Sequence, residues 1–133
     1  MTDPITIVVP GIPVPWSRAG KSGKRHFTPQ RQREHMDLIR AYSVAAMRAR
    51  PIISGPVSVG CSFIYQFPKS WPDKRRINYT PKTSRSDLDN NIKIVTDSLI
   101  GIVFQDDAQI YFLTAEKYYA WEDFTEITVR GLP

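Results

Sequence analysis

The chain has one cysteine and two histidines among its 133 residues. A single cysteine, Cys61, excludes an intrachain disulfide and a cysteine-rich zinc site. His26 and His35 are too few and too scattered for a histidine-based metal centre. Cys61 stands in the apolar alternation Val57, Val59, Cys61, Phe63 and reads as a small buried hydrophobe. No apolar run approaches the roughly 20 residues that a membrane-spanning helix needs. Met1-Thr2-Asp3-Pro4 lacks the basic-then-apolar pattern of a secretory signal. These absences predict a protein of a reducing cytoplasm with no membrane partner.

The length fits one domain over residues 1–133, with a single core. Lysine and arginine number 18 against 13 acidic residues, a formal net charge of +5. Such an excess favours nucleic acid or anionic lipid as partner, although it also serves solubility alone.

Ile5 to Val9 is a β-branched run that predicts a first strand, stopped by Pro10-Gly11. Ile12 to Gly20 reads as an extended loop, and Lys21 to His26 as a basic turn at a hairpin tip. Thr28-Pro29 looks like a helix start, with threonine as cap and proline in the first turn. Leu38, Tyr42, Ala45 and Ala49 recur at helical spacing, which predicts a helix over 29–49 ended by Pro51. His35 is expected on its polar face. Pro56 to Phe67 alternates as a strand does, and Pro68 to Ser86 reads as a long polar loop. Leu88, Ile92, Val95 and Leu99 form a narrow apolar stripe, which predicts a second helix over 88–100 stopped at Gly101. Ile110 to Tyr119 and Phe124 to Val129 read as two closing strands, joined by a hairpin turn at Ala120 to Asp123. The expected fold is α+β: a mixed sheet and two main helices in the order strand-helix-strand-helix-strand-strand.

Against the basic background, acids gather in one stretch: Asp87-Leu88-Asp89-Asn90, then Lys93, Asp97 and Asp106-Asp107. Carboxylates in one place repel each other unless something neutralises them, and a hard divalent cation bound through oxygen is the usual solution. If the apolar stripe of the second helix faces the core, Asp89, Lys93 and Asp97 share a neighbouring flank at i, i+4 and i+8. Asp87 lies just before the helix, where free backbone N–H groups favour negative charge. A strand returning beside the helix can bring one of Asp106 and Asp107 to Asp87 and Asp89. Such a site fits metal-assisted phosphodiester hydrolysis, with Mg²⁺ orienting an attacking water and a lysine holding a phosphate oxygen as charge builds. Taken singly, Asp87 or Asp89 reads as a helix cap, Asp106-Asp107 as a turn, and Lys93 with Asp97 as a surface ion pair.

The block Ser86-Asp87-Leu88-Asp89-Asn90, Lys93, Asp97-Ser98-Leu99 and Asp106-Asp107-Ala108-Gln109 resembles the RusA family of crossover junction endodeoxyribonucleases, common in prophages and bacteriophages. Identity and spacing agree from Ser86 to Gln109. Weaker likeness extends to Gly11-Ile12-Pro13-Val14-Pro15-Trp16-Ser17-Arg18 and to Gly23-Lys24-Arg25-His26-Phe27-Thr28. The resemblance implies a homodimeric, Mg²⁺-dependent enzyme that resolves four-way (Holliday) DNA junctions by paired symmetric nicks. It implies Asp87, Asp89 and Asp107 as the essential metal-holding acids and Lys93 as the important lysine. Asp97 matches a family position without a fixed role, and Asp106 is a possible support. The loop from Pro68 to Ser86 is longer than in the shortest family members, so its DNA contacts do not transfer residue by residue.

Lys69, Lys74, Arg75, Arg76, Lys82 and Arg85 would border the acidic site and neutralise phosphates, or else stand as solvated loop charges. Lys21, Lys24 and Arg25 form a second basic patch. Trp71 either stacks on an unpaired base or covers its own domain, whereas Trp16 and Trp121 read as packing residues. His26 either touches a phosphate or bonds locally. Two other functions remain open at this stage: a nuclease of the same chemistry acting on flaps or forks, and a non-catalytic basic DNA-binding protein. A calcium loop starting at Asp87 fails, because Ile92 and Ser98 occupy the positions that require glycine and glutamate.

Overall fold

Alternation decides the first strand: in β1, Ile5–Pro10, Ile5, Ile7 and Val9 are buried while Thr6, Val8 and Pro10 face solvent. The computed structural model describes residues 3–18, 20–22, 25–27 and 29–132, the two short strands among these by their backbone only. Those strands, β2 (Gly20–Ser22) and β3 (Arg25–Phe27), pair antiparallel, as a hairpin at the basic turn requires. Thr28, Lys24 and the side chains of Lys21, Arg25 and His26 lie outside the described residues.

Helix α1 spans Gln30–Met47, with Pro29 at the position just before it. It ends two residues earlier than its sequence pattern implies. Arg48 and Ala49 both adopt left-handed backbone, and the Arg50 N–H bonds the Met47 carbonyl, so the chain has turned before Pro51. β4 (Val57–Gln66) follows, then a 3-10 turn at Asp73–Arg75 and the two-residue β5 (Thr80–Pro81). α2 runs over Leu88–Leu99. Gly101, at φ +84°, makes the exit turn, and nothing lies within 4 Å of where its Cβ would be. Glycine is therefore set by backbone conformation here and not by space. β6 (Ile110–Ala120) and β7 (Phe124–Gly131) complete the chain.

Five strands form one mixed sheet in the order β1-β7-β4-β6-β5. β4 is central, antiparallel to β7 and parallel to β6. The turn at Ala120 to Asp123 is consequently not a hairpin. β6 and β7 lie on opposite sides of β4, and the connection passes over the end of β4, where Asp123 Oδ1 accepts the Gln66 N–H at 2.7 Å. Both helices contribute to one core with the inward residues of the strands: Ile39 and Met47 from α1, Ile94, Val95 and Leu99 from α2. The fold is thus α+β with two helices and a mixed sheet, as expected. Among the described residues no helix is long and apolar enough to cross a membrane. Burial raises the Cys61 thiol to about 12, which leaves it an inert packing group.

Two helical faces differ from the pattern in the sequence. α1 buries Gln32, His35, Ile39, Ser43 and Met47, and leaves Leu38, Tyr42 and Val44 exposed. The inward polar groups have partners at hand: Gln32 Oε1 accepts the Ser17 N–H at 3.0 Å, and the Ser43 hydroxyl donates to the Ile39 carbonyl at 2.7 Å. His35 is buried and not on the polar face; burial first, and then the Arg31 charge, lowers its pKa. On α2 the buried face is broader than the stripe. Leu88 and Ile92 are half-buried, and Asn91, Ile94, Thr96 and Ser98 join Val95 and Leu99 inside.

The position of α1's inward face is testable by urea denaturation. Ile39→Ala should cost about 2–5 kcal/mol, whereas Leu38→Ala should stay within about 0.5 kcal/mol. The reverse order would put Leu38 back in the core.

Candidate active site

Asp87 occupies the N-cap position of α2, with extended backbone, yet its side chain makes no cap hydrogen bond. An aspartate here ordinarily accepts from the first free N–H groups of the helix. The capping role open to Asp87 on sequence grounds is therefore not the one it fills. Asp89, in the first turn, accepts the adjacent Asn90 N–H, one of the free donors at the helix start, at 3.0 Å. One turn further, Lys93 Nζ lies 3.7 Å from Asp97 Oδ2 and 5.3 Å from the centre of the Trp16 ring. The proline-rich segment is tied to the same helix by the Trp16 N–H, which donates to the Asn90 carbonyl at 2.9 Å.

Asp106 and Asp107 divide their roles. Asp106 caps the 3-10 turn Asp107–Gln109, accepting the Ala108 N–H at 2.9 Å. Gln109 holds that turn through four hydrogen bonds: its Oε1 accepts the N–H groups of Gln105 and Asp106, and its Nε2 donates to the carbonyls of Ile53 and Gly55. Asp107 is left as the acid turned to other charges. Its pKa is raised, chiefly by a hydrogen bond with Asp106, then by slight desolvation and by the charges of Asp106 and Asp97. The backbone bond from Ala108 and the bond to Asp107 hold Asp106 below the ordinary carboxylate range. The two acids act on stability in opposite senses. The contribution of Asp107 is present at acid pH and fades as pH rises through its raised pKa; that of Asp106 is present at higher pH and fades as pH falls through its lowered one.

The fold thus puts Asp97, on α2, in electrostatic reach of both Lys93 and Asp107, the latter in the turn before β6. Asp89 and Asp97 are eight residues apart, roughly 12 Å along a helix axis. Among the described residues no three acids, histidines or cysteines stand close enough to hold an ion together. What fits a hard divalent cation is the donor set: Asp87, Asp89 and Asp107 offer exposed carboxylate oxygens, and the Asp87 side chain is not committed to capping. Beside Asp87 opens a cleft of about 560 Å³, lined in part by Trp16, Arg31, Tyr65, Arg85 and Asn90.

Of the basic loop, Lys69, Lys74, Arg75 and Arg85 are exposed. Arg75 stacks its guanidinium 3.8 Å above Trp71, whose ring also packs at 4.9 Å from Tyr119. Trp71 therefore covers its own domain. Trp121 packs edge-on against Phe67 at 5.1 Å while remaining 53% exposed. Arg76 is engaged internally, donating to the carbonyls of Trp71 and Lys69. Lys82 departs furthest from the expected phosphate contact or solvated charge. It is buried, with its ammonium turned onto the carbonyls of Ser84 and Arg85, and burial and the Lys117 charge lower its pKa. Lys117 was not legible as part of this site, although its place gave a signal. It falls on the inward parity of β6 with Leu113, Ala115 and Tyr119, where a lysine is out of keeping.

The family model for endodeoxyribonuclease RusA matches residues 10–130 of this chain. The chain belongs to the RusA family. An uncharacterized protein of Bacillus subtilis (strain 168), YqaN, is 28% identical over 137 residues, covering 96% of this chain and 96% of that protein. The match of the RusA model takes in the proline-rich segment, both helices and every acid discussed above.

The charge assignment can be checked by carbon-detected NMR titration of the carboxyl groups. Asp106→Ala should bring the Asp107 titration down toward the ordinary carboxylate range, and Asp97→Asn should move it in the same direction by less. An Asp107 titration unmoved in both variants would reject the assigned causes.

Proposed function

We propose that this RusA-family chain is a Mg²⁺-dependent endodeoxyribonuclease that resolves four-way DNA junctions by paired symmetric nicks. The observation that carries the reading is the flank of α2, where an uncommitted N-cap carboxylate, Asp87, is followed by Asp89, Lys93 and Asp97, with Asp107 within electrostatic reach of Asp97. Asp87, Asp89 and Asp107 would hold Mg²⁺. When bound, the ion supplies charge neutralisation at the scissile phosphate and orientation of the attacking water. Lys93 faces the non-bridging phosphate oxygens and stabilises the charge that grows on them. Asp97, 3.7 Å from Lys93, keeps that ammonium directed along the helix flank. Exposed Lys69, Lys74, Arg75 and Arg85 neutralise neighbouring phosphates, which makes binding fall steeply with salt.

Two nicks across a symmetric junction call for two equivalent sites, and a two-fold dimer supplies them. The support for a dimer lies in β6. Its outer edge is paired by β5 only at Tyr118 and Tyr119, and Tyr111, Phe112 and Leu113 are exposed where no described strand covers them. An unpaired edge can pair antiparallel with its own copy about a two-fold axis.

Cleavage of a labelled four-way junction in Mg²⁺, with EDTA as control, tests the activity. Asp89→Asn should lose about a hundredfold or more in rate while binding the junction as tightly as wild type. Near wild-type cleavage by this variant would refute the site. Equal turnover on flaps and forks would replace the junction with a broader branched substrate, and tight binding without metal-dependent turnover would make the protein a DNA-binding module. In sedimentation equilibrium the wild type should be a dimer and Phe112→Glu a monomer; a variant still dimeric places the interface elsewhere.

A further inference from the structure

Residues 84–86, immediately before Asp87, carry carbonyl groups that belong to no helix or strand. Loop carbonyls of this kind are ordinarily left to water. Here two ammonium groups take them. Lys82 Nζ donates to the Ser84 carbonyl at 3.2 Å, to the Ser84 hydroxyl at 2.9 Å and to the Arg85 carbonyl. Lys117 Nζ donates to the carbonyls of Ser84 at 2.8 Å and Ser86 at 2.6 Å. The two lysines are also joined through the backbone, the Lys82 N–H donating to the Lys117 carbonyl at 3.1 Å.

The same segment is tied on its other side. The Ser86 hydroxyl donates to Asn91 Oδ1 at 2.8 Å, and Asn91 Nδ2 donates to the Tyr65 hydroxyl at 2.8 Å. Tyr65 and Ser86 share a further hydrogen bond at 3.1 Å, and Ser84 shares one with the Tyr119 hydroxyl at 3.0 Å. The Lys82 ammonium lies 4.7 Å from the centre of the Tyr65 ring and 5.6 Å from that of Tyr119. Ring faces and carbonyl dipoles therefore offset the repulsion of two neighbouring cations.

We propose that Lys82 and Lys117 are positioning residues: a two-ammonium clamp on the carbonyls of Ser84, Arg85 and Ser86 that sets where Asp87 delivers its carboxylate. The clamp is needed because no cap bond restrains the Asp87 side chain, so its backbone must be fixed instead. Asn91 and Tyr65 carry the same restraint into α2 and β4. The role given to Asp87 rests on the nuclease reading above; the clamp itself does not. Neither lysine touches the substrate in this proposal, which removes Lys82 from the phosphate-binding surface.

The test uses the full-length Lys117→Met, Lys82→Met and Lys117→Arg variants, each checked for folding by circular dichroism. Lys→Met keeps length and apolar stem but leaves the carbonyls without a donor. For Lys117→Met, single-turnover junction cleavage at limiting Mg²⁺ should fall by about 10- to 100-fold, with the Mg²⁺ midpoint raised and junction affinity in EDTA within about twofold. Raising Mg²⁺ should restore part of the rate, and Lys117→Arg should recover part of it at limiting Mg²⁺, since a guanidinium can donate to two carbonyls. A fall in rate that tracks a fall in junction affinity would make these lysines phosphate contacts and overturn the proposal. So would an unmoved Mg²⁺ midpoint, whatever the rate.

Amide hydrogen exchange separates this failure from that of the nuclease reading, because it needs no activity. In Lys117→Met, or in Lys82→Met if that variant does not fold, exchange should quicken at residues 83–88 and stay unchanged in β1 and β7. An unchanged segment 83–88 rejects the clamp even if the protein cleaves junctions. Quickened exchange there in a protein whose wild type cleaves nothing retains the clamp and rejects the nuclease.

Discussion

The parallel pairing of β4 with β6 is the constraint from which the site follows. Parallel neighbours cannot be joined by a tight turn, so the chain must travel back to the starting end of the sheet before pairing again. Here that return runs from Phe67 to Gln109. It contains the basic loop, α2, the acids on its flank and the Asp106-Asp107 turn. Every residue given a direct role in chemistry therefore lies in a single crossover, and the sheet beneath supplies its two fixed ends. Gln109 secures one end by bonding the carbonyls of Ile53 and Gly55, just before β4 begins. Lys117 and Tyr65 secure the middle, from strands that are themselves paired.

The electrostatic plan has two layers of opposite sign. The outer one is a flank of exposed carboxylates with one lysine among them. The raised pKa of Asp107, due first to its hydrogen bond with Asp106, includes a smaller contribution from the charges of Asp106 and Asp97. The inner layer is a pair of lysines turned onto backbone oxygens. The order is unusual for a basic protein, in which lysines ordinarily fill the surface. Positive charge behind and negative charge in front give the loop a polarity that neither layer has alone.

Local pattern made much of this legible. β1, β4 and α2 announce themselves by alternation or by apolar stripe, and the spacing of Asp89, Lys93 and Asp97 places them on one flank, where the Lys93–Asp97 pair now stands. Tertiary choices were not legible. α1 offers two possible faces, and the one turned inward carries Gln32 and Ser43 because their partners happen to lie opposite or one turn back, with the buried His35 between them. The turn from Ala120 to Asp123 looks like a hairpin from its length, yet the sheet order that makes it a bridge over β4 is set by partners far away in the sequence. Lys82 read as a phosphate contact, or else a solvated charge, because a loop full of lysine and arginine gives no sign of which ammonium has carbonyls waiting for it.

The sheet order also governs how the molecule comes together. Three pairings in the main sheet, β1 with β7, β7 with β4 and β4 with β6, join strands that are not consecutive in the chain, and β5 is separated from its partner β6 by α2. The described hairpin of consecutive strands, β2 with β3, stands outside that sheet. Loop-closure entropy must therefore be met before any central pairing yields stability, which places this chain among slow folders for its size. β4 emerges long before either of its partners, and its run of Val57, Val59, Cys61, Phe63, Ile64 and Tyr65 stays uncovered until β6 and β7 arrive. The vulnerable moment of this protein is thus its synthesis, when its central strand waits for a sheet that does not yet exist.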